Sequence, residues 1–179
     1  MKACTLFLTA ILAVGSLCAA EPEPSITPLR FKESPEKLLF CAKKEIVIAE
    51  IGKFAAETMP ELVKKAVDLK LGQNGPLILS IIGFKGDPEQ PFKVEAGFPA
   101  YRQDDDYRGD FYFRTAPKFK CVSVIYQGPI SGTAAAWKKL VSDALTDGRA
   151  PSGESREIYL DWQGPDSPNT IVELQLGLQ

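Results

Sequence analysis

The chain contains no histidine. That absence removes Ser-His-Asp and Cys-His catalysis, histidine-ligated haem and nearly every catalytic zinc site. Chemistry, if the protein performs any, falls to carboxylates, Tyr, Lys, Ser or Cys, and no cofactor or metal is expected. An excess of one charge is missing too, since 21 Lys and Arg stand against 23 Asp and Glu. There is no basic block and no Lys/Arg stripe interleaved with aromatics, so nucleic acid is not an expected partner. Long apolar runs are also lacking. The one at 6–14 is too short to cross a bilayer as a permanent helix, so no membrane span is expected.

Cysteine is scarce, and its placement matters more than its number. Of the four cysteines, Cys4 and Cys18 fall in residues 1–20, which read as a targeting segment. Lys2 supplies the positive start, Leu6 to Val14 the apolar middle, and Cys18-Ala19-Ala20 the small-residue pattern before Glu21. Cleavage after Ala20 is expected, giving an exported product, periplasmic or secreted. A lipoprotein reading through Cys18 is weaker, because Leu17 stands where a small residue normally precedes such a cysteine. Export leaves Cys41 and Cys121. A pair in an oxidising compartment suggests a disulfide, worth roughly 4–5 kcal/mol for a loop of that span. The alternative is two buried thiols acting as small hydrophobes.

What is present is the makings of a soluble globular core: 45% of the chain is hydrophobic and 25% charged. Residues 21–40, with Pro22, Pro24, Pro28 and Pro35, read as an extended lead-in with little packing. A β-branched strand follows at 45–51, ended by Gly52. The next segment is helical, with Met59, Leu62, Val63, Ala66 and Val67 on one stripe of a 3.6-residue period. Thr58 and Glu61 have capping-box spacing around Pro60. Strands are expected at 77–82 and 92–98.

The second half repeats this order. A strand at 121–126 leads through Gly128-Pro129 into a helix at 132–146, with Trp137, Leu140, Val141, Ala144 and Leu145 on its stripe and Gly148 just past its end. Strands at 156–162 and 170–178 close the chain. Met59 and Trp137 are 78 positions apart, and so are Glu95 and Glu173. The expectation is an α+β fold of two tandem strand-helix-strand-strand modules, 45–99 and 120–179, with antiparallel sheets. A pseudo-two-fold axis would relate them and a cleft would lie between them. In the linker at 100–119, Asp104, Asp105, Asp106 and Asp110 miss EF-hand spacing, because Arg108 and Thr115 occupy ligand positions; a solvated acidic loop is expected. Phe111, Tyr112, Phe113 and Phe119 read as core or pocket wall.

The second half resembles the GyrI-like effector-binding domain, of SOUL/GyrI-related fold, found also as the drug-sensing half of some AraC-type and MerR-type regulators. The likeness rests on Cys121-Val122-Ser123-Val124-Ile125-Tyr126-Gln127-Gly128-Pro129, Trp137-Lys138-Lys139-Leu140, Arg156-Glu157-Ile158-Tyr159-Leu160 and Val172-Glu173-Leu174-Gln175-Leu176. The first half joins mainly through Glu95-Ala96-Gly97-Phe98-Pro99, so the domain would occupy 41–179. The resemblance implies a cleft that takes apolar, often cationic, small molecules between strand carboxylates and aromatic walls. By motif position the carboxylates are Glu157 and Glu173, with Tyr159 and Tyr126 as aromatic neighbours. Ile130 stands where many relatives have Tyr after Gly-Pro. Some members are hydrolases that open cyclopropane-containing compounds. With no DNA-binding domain in this sequence and an export segment at its start, transcriptional sensing is not expected. Haem of the SOUL type has no histidine to ligate it.

Strand alternation gives its own picture of the same residues. If Val172, Leu174, Leu176 and Leu178 face the helix, Glu173 and Gln175 face away. The same logic places Ile158, Leu160 and Trp162 inside and turns Glu157, Tyr159 and Asp161 outward. Were that second face simply wet, its acids would be ordinary surface residues. Two modules set face to face would instead gather Glu95, Glu157, Glu173 and Gln175 around a shared cleft. A partly desolvated carboxylate there selects a cation, and Tyr rings add about 0.5–2 kcal/mol of cation-π attraction. Trp137, on a core stripe, reads as packing, with an indole wide enough to reach the cleft edge. Three functions remain open: a binding module, a hydrolase with Glu157 or Glu173 as general base and Tyr159 as donor, and a protein-interaction module.

Overall fold

The structure, a computed structural model, describes residues 23–179, so the targeting segment at 1–20 lies outside the described residues. The elements in chain order are β1 (Ser25–Ile26), β2 (Arg30–Ser34), β3 (Lys37–Ile46), α1 (Ile51–Asp68), β4 (Leu77–Ile82) and β5 (Phe92–Pro99). They are followed by β6 (Tyr112–Ala116), β7 (Phe119–Gln127), α2 (Thr133–Thr146), β8 (Pro151–Asp161) and β9 (Ile171–Leu178). Among the described residues the strands form one sheet of nine, in the order β1-β7-β9-β8-β4-β5-β3-β6, with β2 also on β7. Every pairing is antiparallel. None of the described helices is long and apolar enough to cross a membrane.

The fold class is therefore α+β, as expected, but the modules meet side by side. Pairing of β4 with β8 joins them into one continuous sheet, and both helices pack on the same side of it. Val122, Val124, Val172, Leu174 and Leu176 meet Ala136, Leu140 and Ala144 of α2. Ala42, Ile46, Leu79, Val94 and Ala96 meet Phe54 of α1, and Phe40 and Phe98 meet Leu62 and Ala66. The aromatic segment is core: Phe40 lies 5.6 Å from Phe111 and 4.9 Å from Phe113, ring centre to ring centre.

Two segments expected to be loose turn out to be strands. The lead-in holds β1, β2 and the start of β3, and the linker holds β6. Their partners explain why: β2 runs into β3 but pairs with β7, while β6 runs into β7 but pairs with β3. Both connections, at Pro35-Glu36 and Pro117-Lys118, are short, so the outer edges of the sheet must converge there and the sheet curls. The curl encloses the face away from the helices, where Leu39, Cys41, Ile78, Ala116 and Ile158 form a second core. Phe31-Lys32 and Pro35 stand 82 positions before Phe113-Arg114 and Pro117. Since α1 has 18 residues and α2 has 14, one extra helical turn accounts for the change of spacing from 82 to 78. The architecture is compatible with a duplication.

The first strand also shifts. Of residues 45–51 only Glu45 and Ile46 are strand, the end of β3; a 3-10 turn spans Ile48–Glu50, and α1 begins at Ile51. Gly52, Thr58 and Pro60 thus lie inside the helix instead of marking its start. A run of β-branched residues suits either state, and packing of Phe54 and Leu62 against the sheet decides it.

Cys41 and Cys121 are free and buried. Cys41 sits opposite Gly97 and Tyr112, and Cys121 opposite Lys32 and Gly177, so the two thiols occupy separate surroundings. Burial, reinforced by the nearby Glu95 charge, pushes the Cys41 thiol up to about 12. Burial, opposed by the Lys32 charge, pushes Cys121 up to about 11. Neither is expected to alkylate with iodoacetamide at about pH 8 in the native protein, and both are expected to react once guanidinium unfolds it. Labelling of either position in the folded state, mapped by mass spectrometry, would contradict this.

Candidate functional site

Two helices on one side of a sheet leave a trough between them. Here it is a cleft of about 1730 Å³, walled by α1 and α2 and floored by β4 and β8. The α1 wall presents Ile51, Gly52, Ala55, Ala56 and Met59; the α2 wall presents Thr133, Ala134, Trp137 and Val141. Leu77 and Ile81 of β4 and Ser155, Glu157 and Tyr159 of β8 form the floor. Phe84 and Lys85 border the cleft along with Leu160 and Trp162. A smaller recess of about 850 Å³ lies between α1 and the acidic loop, and Glu61, Lys64, Asp104 and Arg108 line it with charges of both signs.

The polar centre of the floor is Glu157, which is 8% exposed. Trp137 donates its Nε1–H to Oε1 at 2.8 Å, and the Tyr159 hydroxyl donates to Oε2 at 2.8 Å. Burial, then the Glu157 charge and its hydrogen bond, push the Tyr159 phenol well above its ordinary range, so it remains a donor. The Tyr159 ring in turn meets Trp162 edge-on, with centres 5.6 Å apart. Among the described residues no cation forms an ion pair with Glu157.

The face assignment along β8 therefore needs correction. Glu157 sits opposite Leu79 on β4 and Leu174 on β9, and Tyr159 opposite Leu77 and Val172. Both share the face of those leucines, toward the helices. Leu160 and Trp162 are 46% and 53% exposed, not core, and Ile158 packs into the second core on the far face. A register shift between Tyr159 and Asp161 breaks the alternation that grouped Ile158, Leu160 and Trp162. Trp137, read as packing with an indole wide enough to reach the cleft edge, packs against the core beneath α2 and also lines the cleft.

Glu95, Glu173 and Gln175 do not join Glu157. They lie on the far face, in a polar belt that strand register draws across the sheet: Ser123, Gln175, Arg156, Ser80 and Glu95 are successive partners on β7, β9, β8, β4 and β5. All five are buried. Lys93 Nζ and Arg114 Nε each reach Glu95 at 2.7 Å, and the Tyr112 hydroxyl donates to it at 2.8 Å. Lys32 pairs with Glu173 at 2.9 Å, and Gln175 donates to Glu173 at 3.0 Å. Tyr126 points to the helix side but is packed beneath α2, its hydroxyl donating to the Pro129 carbonyl at 2.8 Å. Of the six residues named from sequence, the structure thus brings Glu157 and Tyr159 together in the cleft. One signal for Trp137 lay in the spacing itself, since Met59, its partner at 78 positions, borders the opposite wall.

The sequence profile of the GyrI-like small molecule binding domain matches residues 27–179. The chain belongs to this family. The fold recurs in the EcmrR C-terminal domain, with a TM-score of 0.68 at 19% identity over 85% of this chain and 97% of that one. The EcmrR chain in a DNA complex gives 0.72 at 20% identity over 85% of this chain, which spans only 57% of that longer one. SAV2435 bound to tetraphenylphosphonium gives 0.61 at 12% identity, covering 86% of this chain and 94% of that one. No curated protein matches the chain in sequence.

Proposed function

We propose that this GyrI-like domain binds an apolar or amphipathic cation between α1 and α2, over Glu157. The supporting observation is a carboxylate 8% exposed that is held by two neutral donors, at the floor of an open and largely apolar cleft. Removing a carboxylate from water costs several kcal/mol, and hydrogen bonds from Trp137 and Tyr159 offset only part of it. A cation entering the cleft supplies the rest, flanked by two aromatic rings. Tetraphenylphosphonium in the SAV2435 structure is itself an apolar cation, which agrees with this reading.

Geometry favours holding over hydrolysis. Both Glu157 oxygens already accept a hydrogen bond, from Trp137 and from the Tyr159 hydroxyl, which suits a carboxylate held in place to meet a charge, and the Tyr159 proton is committed to Glu157 instead of being offered to a substrate. The test is a calorimetric titration with aromatic cations and uncharged isosteres, followed in parallel by fluorescence, since the two tryptophans of the chain, Trp137 and Trp162, both line the cleft. Saturable binding that prefers cations is expected. Equal binding of the isosteres, or none by any probe, overturns the reading.

The domain would act outside the cytoplasm. Lys2, the apolar 6–14 run and Cys18-Ala19-Ala20 support export with cleavage before Glu21. The intact mass of protein recovered from periplasm or medium is expected to begin at Glu21. A product that retains Met1 sinks this reading.

A further inference from the structure

The two walls of the cleft are unlike. On α1 every cleft-lining side chain is apolar and several are small: Gly52, Ala55 and Ala56 sit between Ile51 and Met59. A Cβ built on Gly52 would meet nothing within 4 Å, so this wall is recessed. On α2 the large indole of Trp137 projects and draws Oε1 of Glu157 toward its own side. The floor has the same asymmetry. Glu157 is paired in register with Leu79, which stands 78 positions earlier, so the module-one strand offers a leucine where the module-two strand offers a carboxylate.

A carboxylate has about four acceptor directions, and Glu157 uses two of them. The other two suit N–H donors better than a fully alkylated cation, whose charge cannot approach an oxygen to hydrogen-bond distance. We infer that the ligand is an edge-charged amine: a flat apolar body seated in the α1 recess, with a primary ammonium or amidinium at one edge pointing to the α2 side and donating to Glu157. This rests on the cation-cleft reading and adds to it the position of the charge, its N–H character and the ligand's orientation. A cation whose charge is central and screened by rings on all sides uses neither feature.

The probes are naphthylmethylammonium, its N-trimethyl analogue, the naphthylmethanol isostere and tetraphenylphosphonium, titrated into the full chain. The primary ammonium is expected to bind about tenfold tighter than the trimethyl analogue and roughly 30- to 100-fold tighter than the alcohol. Glu157→Gln is expected to bring the three naphthyl probes together. Ala55→Phe, which fills the recess, is expected to weaken ammonium and alcohol alike by about tenfold, equivalent to roughly 60 Å² of apolar contact. Gly52→Leu makes the same test at a position where the larger residue also favours helix, so loss of folding does not confound it. Tetraphenylphosphonium or the trimethyl analogue binding as tightly as the primary ammonium overturns the inference while leaving a cation cleft standing. Unchanged affinities in both recess variants overturn the orientation. Absence of binding by all four probes defeats the cleft reading and this inference together.

Discussion

Glu157→Gln is expected to cost roughly 30- to 100-fold in affinity for an aromatic amine while changing that for its uncharged isostere by no more than about twofold. The substitution is close to isosteric. Trp137 can only donate, so the amide oxygen of the new side chain takes its Nε1–H; the amide nitrogen then faces Tyr159, whose hydroxyl can turn from donor to acceptor. The hydrogen-bonded frame seen around Glu157 survives and the charge alone is lost. Folding stability of the free protein is expected to hold or rise, because an uncompensated buried charge has been removed. Titration calorimetry and thermal melts of both proteins read the two effects separately. Unchanged amine affinity would remove Glu157 from the site, and an equal loss for the isostere would mean that the cleft had collapsed.

Opposite movements of affinity and stability are what a binding carboxylate predicts, and they follow from where β8 places it. That placement was only half legible in the sequence. The α2 stripe, the alternation of β9 and the strand leading to Gly128-Pro129 are local patterns, and the structure returns them nearly residue for residue as Thr133–Thr146, Ile171–Leu178 and Phe119–Gln127. β2 and β6 are different. Each is only five residues long and stabilised by a partner far off in the chain: Arg30 pairs with Ser123, and Lys37 with Ala116. No local signal carries such a pairing, and Pro35 and Pro117 beside them read as loop. The faces failed for a related reason. Alternation presumes one dry face, but curling of the sheet gives it two, with Ile158 in one core and Tyr159 packed against the other. Family resemblance named Glu157 and Tyr159 without settling their face, and the structure sets their side-chain oxygens 2.8 Å apart.

The far face supplies the second large effect. Glu95→Ala is expected to destabilise the protein by about 3–5 kcal/mol, the usual result of removing one member of a buried ionic group. It is expected to leave amine affinity in the cleft unchanged. Glu95 is 3% exposed and holds Lys93, Arg114 and Tyr112 at once; Arg114 has buried nitrogens with no other partner. Without Glu95 that guanidinium is stranded. Glu173→Ala is expected to cost less, because the Lys32 side chain is 39% exposed and can turn to water. Acid sharpens the contrast. Burial alone would raise the Glu95 carboxyl, but hydrogen bonds from Lys93 and then Tyr112, with the Arg114 and Lys93 charges, outweigh it and hold the group below its ordinary value of 4.5. A carboxyl lowered in the folded state adds stability that is fully present above that ordinary value and is lost as pH falls through the folded one. Urea midpoints measured from about pH 6 down to about pH 3 are therefore expected to fall more steeply in the wild type than in Glu95→Ala. If instead the variant keeps wild-type stability and loses amine binding, the ligand contacts the far face and the cleft between the helices is not the site.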